Sequence, residues 1–290
     1  MFTGAMVALI TPFHDDEIDF RTLDELIDFQ LENGIDGIVP VGTTGESPTL
    51  SHEEHKKVIE RVVKAVAGKV PVIAGAGSNS TAEAIELAAF SKKVGADATL
   101  QVDPYYNKPT QEGFYQHFKT IAEKVDLPIV LYDIPGRCGA GLTPDTIVRL
   151  AQLENIVAIK DATGKLDQVS EIATRCDLTI LSGDDSLTLP IAAVGGKGVI
   201  SVVANIVPAD VKALTDLILE GDFVQARRWH EKLFALSRNM LSLATNPMPI
   251  KAAMAMLNMA SEELRLPMVP LEESKKVVLK QTLKNYGLLS

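Results

Sequence analysis

The chain has 290 residues, 46% of them hydrophobic and 23% charged, with a formal net charge of −10, the profile of a globular protein long enough to bury a sizeable core. An acidic chain with no Lys/Arg-rich run repels phosphate backbones, so nucleic acid is not an expected partner. No apolar run reaches the roughly 18 residues of a membrane span, AMVALI (5–10) lacks the flanks of a signal peptide, and two cysteines without C-x-x-C spacing form neither a disulfide framework nor a zinc site; a cytoplasmic protein with no membrane partner is expected.

Along the chain, short β-branched runs alternate with segments of helical amphipathic spacing. The strand cores are VALI (7–10), GIVPV (37–41), VPVIAG (70–75), ATLQV (98–102), PIVLY (128–132), IVAIK (156–160), LTILSG (178–183) and GVISVV (198–203). Ser51 with Glu53 and Glu54, Ser80 before TAEAIELAAF, and Thr143-Pro144-Asp145 mark helix starts. Gly34, Gly68, Gly95 and Gly196 suit left-handed caps at helix ends. Past Asp222 only helical patterns remain, through FVQARRWHEKLFALSRNML, PIKAAMAMLNMA and SKKVVLKQTLKNYGLL. Near-continuously apolar strands alternating with helices imply a parallel sheet. Eight such units over about 220 residues fit a (β/α)8 TIM barrel over residues 1–222, with a C-terminal helical subdomain over 223–290 packed on it.

Barrel enzymes carry their chemistry at the C-terminal ends of the strands. Here those ends read TP, GTTGES, GAGSN, DPYYNKP, YDIPGR, KDATG, SGDD and VVAN, nearly all polar or glycine-rich. Lys160 ends the sixth strand, where alternation points its side chain into an interior walled by Val, Ile and Leu. Loss of water there disfavours the ammonium and leaves a nucleophile; the alternative is a surface lysine or a partner of Asp161. Tyr132 ends the adjacent fifth strand, within reach as a proton relay, and Tyr105 and Tyr106 follow the fourth; each is otherwise ordinary packing.

GTTGES (42–47) can cradle an anion on backbone N–H groups. It lacks the Gly-Lys-Ser/Thr ending of a P-loop, so a small carboxylate fits better than a nucleotide, and the alternative is a plain turn. Arg137, five residues past Tyr132, can clamp a carboxylate in bidentate fashion or sit in a surface ion pair. GAGSNS (75–80) lacks the third glycine of a dinucleotide fingerprint. His52 and His55 are three apart, where a zinc helix needs four, and read as an exposed first helical turn; no metal site is expected.

Taken together and in order, GTTGES, the YY pair, YDIPGR, IKDATG and SGDD resemble the dihydrodipicolinate synthase family over essentially the whole chain. The resemblance implies a class I, metal-independent, pyruvate-dependent aldolase-type lyase in which Lys160 forms the Schiff base with pyruvate and no cofactor is needed. Tyr132 then matches the general acid/base, relayed through Thr43 to Tyr106, which reaches the site of a neighbouring subunit. Thr43 and Thr44 match the binders of the pyruvate carboxylate, Arg137 the residue that meets L-aspartate 4-semialdehyde, and Gly183 and Ile200 the backbone lining of the pocket. A homo-oligomer is implied, a tetramer built as a dimer of dimers. The resemblance also implies feedback inhibition by L-lysine at an interface pocket of Ser47, Pro48, Leu50, His52, His55, Asn79, Glu83 and Tyr105, with Glu83 facing the ammonium and Asn79 and Tyr105 the carboxylate.

Asp133, Gly136 and Cys138 depart from the Asn, Ser and Thr of the family pattern, and Pro48 from its Ala. N-acetylneuraminate lyase and other pyruvate-dependent class I aldolases of the same superfamily share the Lys and Tyr; Thr43-Thr44 and Arg137 favour the synthase. A barrel that only binds a metabolite would be expected to lack Lys160 or Tyr132.

Overall fold

The structure, a computed structural model, describes residues 2–290. Eight parallel strands form the barrel: β1 (Gly4–Ala8), β2 (Gly37–Val39), β3 (Ile73–Gly75), β4 (Ala98–Val102), β5 (Ile129–Asp133), β6 (Ile156–Asp161), β7 (Thr179–Ser182) and β8 (Gly198–Ser201). Ladders join β2, β1, β8, β7, β6, β5, β4 and β3 in that order. A parallel bridge between Ile38 and Val72 closes the ring. The expected TIM barrel is the observed one.

Alternation divides each strand between two layers. Met6, Val39, Ile73, Ala98, Leu100, Val130, Tyr132, Ala158, Leu181 and Ile200 pack together inside the barrel. Their neighbours Leu131, Ile159 and Ile180 face outward against helices, beside Phe114, Phe118, Ile121 and Ile172. Some helices start where hydroxyls satisfy free backbone N–H groups. Ser51 and Glu54 form a full capping box on His52–Val66, and Thr143 accepts from the N–H of Thr146 ahead of Pro144–Leu150.

Several local expectations are corrected. The first ladder covers Gly4–Ala8 rather than 7–10, while Leu9 and Ile10 continue beyond it as buried core residues. A two-residue antiparallel pair, Phe13–His14 with Glu17–Ile18, was not expected. Ser80 caps Thr81–Val94 without a side-chain hydrogen bond. Gly34, Gly68 and Gly95 have positive φ, but at the fourth position Gly195 does (φ 117°) and Gly196 does not. Gly196 is instead held close to Ile191, whose Cγ2 would lie 2.6 Å from an added Cβ.

Three helices, Phe223–Ser242, Met248–Met256 and Glu273–Tyr286, follow the barrel. Leu233, Leu236, Met240, Ile250, Met254, Leu279 and Leu283 join the same apolar cluster as barrel-side residues such as Leu23, Ile27 and Leu214. No helix among the described residues is long and apolar enough to cross a membrane.

Candidate active site

Lys160 is 5% exposed although it carries an amine. In the ladder it lies beside Tyr132 on β5 and Leu181 on β7, on the inward face with Ala158. Its Nζ stands 4.1 Å from the centroid of the Tyr132 ring, close enough for the π face to stabilise a cation. Among the described residues, no carboxylate oxygen comes within ion-pair distance of this amine, Asp161 included. Asp161 belongs to the opposite face, where its carboxylate accepts from the N–H and hydroxyl of Thr163 at 3.1 and 2.9 Å; burial pushes its pKa up to about 6. Alternation thus separates two adjacent charged residues, which excludes the simple Lys160–Asp161 pair.

Gly183, just past β7, faces the lysine stem. A Cβ there would lie 2.8 Å from Ala162 Cβ and 3.1 Å from Lys160 Cε, so a larger residue would crowd the amine out of its place. Ile200 lies on β8 opposite Met6 and is fully buried. From the SGDD stretch, the Asp185 carboxylate accepts from the Ser201 hydroxyl and from the N–H groups of Val202 and Val203. It thereby fixes the chain just past Ile200.

The GTTGES turn is strained. Val41 and Glu46, neither a glycine, have φ of 47° and 55°, a region that costs a β-branched residue most. Thr43 is half-buried at its tip and Thr44 is buried. Thr44 Oγ1 accepts from Asn246 Nδ2 at 2.9 Å, and the Asn246 carbonyl accepts from Arg137 Nη2 at 2.8 Å. One asparagine, 202 residues from Thr44 in sequence, joins the two groups that the family resemblance implies for two carboxylates. Tyr106 stands apart from the buried cluster, 90% exposed with φ 71°.

A second buried lysine, overlooked in the sequence, lies behind the turn. Lys251 is fully buried in an ion pair with Glu46, itself 2% exposed. Its Nζ also donates to the Glu263 carbonyl at 2.8 Å and sits 4.2 Å from the Phe13 ring centroid. Burial lowers the pKa of this amine, against the pull of Glu46. Arg265 adds a backbone N–H to Glu46 at 3.2 Å and a guanidinium to Glu54, whose carboxyl it holds down at about 2. Helical apolar spacing around Lys251 gave no sign of this pairing.

The eight positions assigned to L-lysine follow β2, β3 and β4 in succession. Ser47 and Pro48 lie in the turn Ser47–Thr49, Leu50 is a core residue, and His52 is exposed. His55 is 6% exposed rather than in an exposed helical turn. Its Nε2 meets the Gly75 carbonyl at 2.6 Å, and burial lowers its pKa. Asn79 Nδ2 donates to the Tyr105 carbonyl at 3.1 Å, Glu83 accepts from the Ser78 hydroxyl at 2.7 Å, and Tyr105 is 36% exposed. Among the described residues no group of three or more His, Cys, Asp or Glu is placed to hold a metal ion.

A closed parallel barrel with a buried lysine, not ion-paired, at a strand end defines a TIM-barrel enzyme with amine chemistry available to it. The chain belongs to the dihydrodipicolinate synthetase family, whose model matches residues 1–286, and it is a lyase. It is 56% identical over 290 residues to the 4-hydroxy-tetrahydrodipicolinate synthase of Methanocaldococcus jannaschii, with all of both chains covered. The dihydrodipicolinate synthase of Acinetobacter baumannii, solved in complex with pyruvate, superposes with a TM-score of 0.97 at 42% identity over 100% of both chains. The enzyme of Cyanidioschyzon merolae, solved with lysine bound, gives 0.95 at 41% identity over 99% of both.

Proposed function

We propose that this chain condenses pyruvate with L-aspartate 4-semialdehyde to 4-hydroxy-tetrahydrodipicolinate, in lysine and diaminopimelate biosynthesis, through an imine on Lys160. The observation that carries the reading is the buried Lys160 amine, 4.1 Å from the Tyr132 ring and without a carboxylate partner, in a chain of this family. A neutral Nζ adds to the pyruvate ketone carbon, and the carbinolamine loses water to give a protonated imine. That imine withdraws electrons as the methyl carbon gives up a proton, and the resulting enamine carbon attacks the aldehyde. The substrate amine then adds to the imine carbon, closes the ring and expels Lys160.

Tyr132 moves the protons of these steps, relayed through Thr43 to Tyr106 of a neighbouring subunit. The 90% exposure of Tyr106 suits a side chain that completes its surroundings across an interface. Thr43 and Thr44 hold the pyruvate carboxylate, Arg137 the carboxylate of the aldehyde, and backbone at Gly183 and Ile200 lines the pocket. The link from Thr44 through Asn246 to Arg137 supports this division, because it fixes the two carboxylate sites relative to each other. Residues 1–222 form the catalytic unit and 223–290 a supporting subdomain, in a tetramer of two dimers.

L-Lysine acts as a feedback inhibitor at Ser47, Pro48, Leu50, His52, His55, Asn79, Glu83 and Tyr105. The lysine-bound relative supports this. So does the route from Asn79 through the Tyr105 carbonyl to Tyr106. A coupled assay decides the main reading: product from pyruvate and aspartate semialdehyde is expected, and cleavage of N-acetylneuraminate without that condensation would overturn it. Millimolar L-lysine should inhibit the native enzyme and spare Glu83→Ala, whereas an enzyme indifferent to L-lysine contradicts the regulatory part.

A further inference from the structure

Three carboxyls stand in a row across β4, β5 and β6, one residue past the Val102–Tyr132–Lys160 layer. Tyr132 pairs with Val102 and with Lys160, and Asp133 with Asp161, which places Asp103 beside Asp133. All three are fully buried, on the helix-facing side of the strands, opposite Lys160.

Asp133 is well supplied with donors. It accepts from Leu142 N–H at 3.3 Å and from Gln168 Nε2 at 2.7 Å. The Asp103 carboxyl is in hydrogen-bonding contact with Asp133 and with the Ile134 N–H, and no other donor reaches it. Two buried carboxylates in contact cannot both be ionised. One arrangement resolves this: Asp103 is a neutral acid whose O–H donates to the Asp133 carboxylate. Burial pushes the Asp103 carboxyl well above its usual range, and the Asp133 charge adds to this.

The pair grips one loop. Asp133 is its entry and Leu142, which donates to Asp133, its exit. Between them lies the short helix Pro135–Cys138, which carries Arg137. The Cys138 thiol donates to the Asp103 carbonyl at 3.3 Å. At Gly141 a Cβ would lie 2.6 Å from Asp133 Oδ1, so the loop passes directly over the carboxylate.

We propose that Asp103 and Asp133 are positioning residues that share one proton, and that their hydrogen bond holds the loop of residues 134–142 so that Arg137 meets the carboxylate of the second substrate. The proposal rests on the reading of Arg137 given above. The ionisable groups facing the pair are Asp161 from β6, Lys165 from the segment that follows it, and Cys138 and Arg137 from the loop. Loss of the shared proton would break the O–H···O bond and set two like charges together beneath the loop. Arg137 would then leave its place, and affinity for the aldehyde would fall as pH rises.

The stability linkage has a definite sign. The folded chain keeps a proton on Asp103 that the unfolded chain releases, so stability falls as pH climbs from the ordinary carboxylate range to the raised value. Asp103→Asn removes that loss while its amide still donates to Asp133.

The test is steady-state kinetics of the intact enzyme, native, Asp103→Asn and Arg137→Ala, from neutral to alkaline pH, with thermal melts alongside. For the native enzyme, KM for aspartate semialdehyde should rise toward about tenfold per pH unit above the ionisation of the pair, with KM for pyruvate as internal reference. Titration of the substrate amine is common to all variants, so the difference between native enzyme and Asp103→Asn isolates the pair. Asp103→Asn should lose that alkaline rise and melt no lower than the native protein at alkaline pH. The same rise in Asp103→Asn, or a lower melting temperature, overturns the proposal. If Arg137→Ala leaves KM for the aldehyde unchanged, the underlying reading falls and the proposal with it. If Arg137→Ala raises KM while Asp103→Asn keeps the native profile, only the proposal falls.

Discussion

Two lysines are buried in this protein, and their surroundings differ. Lys160, 5% exposed, has a tyrosine ring 4.1 Å from its Nζ and no carboxylate partner. Lys251, fully buried, has an aromatic ring at a similar 4.2 Å but is also bound by the Glu46 carboxylate and the Glu263 carbonyl. Both amines are buried. Only Lys251 has a carboxylate within ion-pair distance and a directed carbonyl acceptor, which commit its ammonium to the fold. The lesson is that burial alone does not single out an amine for chemistry; the proposed role of Lys160 rests on burial without an ion-pair partner.

Removing each amine sharpens that contrast. Lys160→Ala should lower turnover by on the order of 10³-fold or more, since the covalent route is lost. It should leave the melting temperature nearly unchanged because no partner is stranded. Enzyme rates and calorimetry on one preparation check both halves, and a large loss of stability would erase the distinction. Lys251→Ala should do the reverse in kind, costing about 3–5 kcal/mol of stability by leaving Glu46 buried and unpaired. The Glu46→Gln, Lys251→Met double variant should recover most of it in chemical denaturation. Arg137→Ala, between the two regions through Asn246, should raise KM for aspartate semialdehyde by an amount worth about 1.5–3 kcal/mol. Equal loss of pyruvate binding in a folded variant would contradict its assignment to the second substrate.

The barrel was legible because every strand is a short apolar run and nearly every C-terminal strand end is polar or glycine-rich, a local pattern. Its errors were also local. Leu9 and Ile10 are apolar enough to read as strand, yet they are buried just beyond the ladder that Gly4 begins. His55 looked exposed by its position near a helix start, although it shares the buried stripe of Val58, Ile59, Val62 and Val66 at helical spacing, a signal present in the sequence. Asn246, Glu46 with Lys251, and the Asp103–Asp133 contact carried no such signal. They join residues distant in sequence, and ordinary polar residues become decisive only once the fold desolvates them. The Lys160–Tyr132 neighbourhood was accessible because β5 and β6 are consecutive strands whose ends align. Tyr106 illustrates the opposite case, since nothing within one chain covers it.

The most direct test of the account is reduction with borohydride in the presence of pyruvate, followed by mass spectrometry of the digested protein. A pyruvate-derived adduct should appear on the peptide that contains Lys160 and not on the one that contains Lys251. An adduct on another lysine, or an active enzyme that traps none, would contradict the assignment.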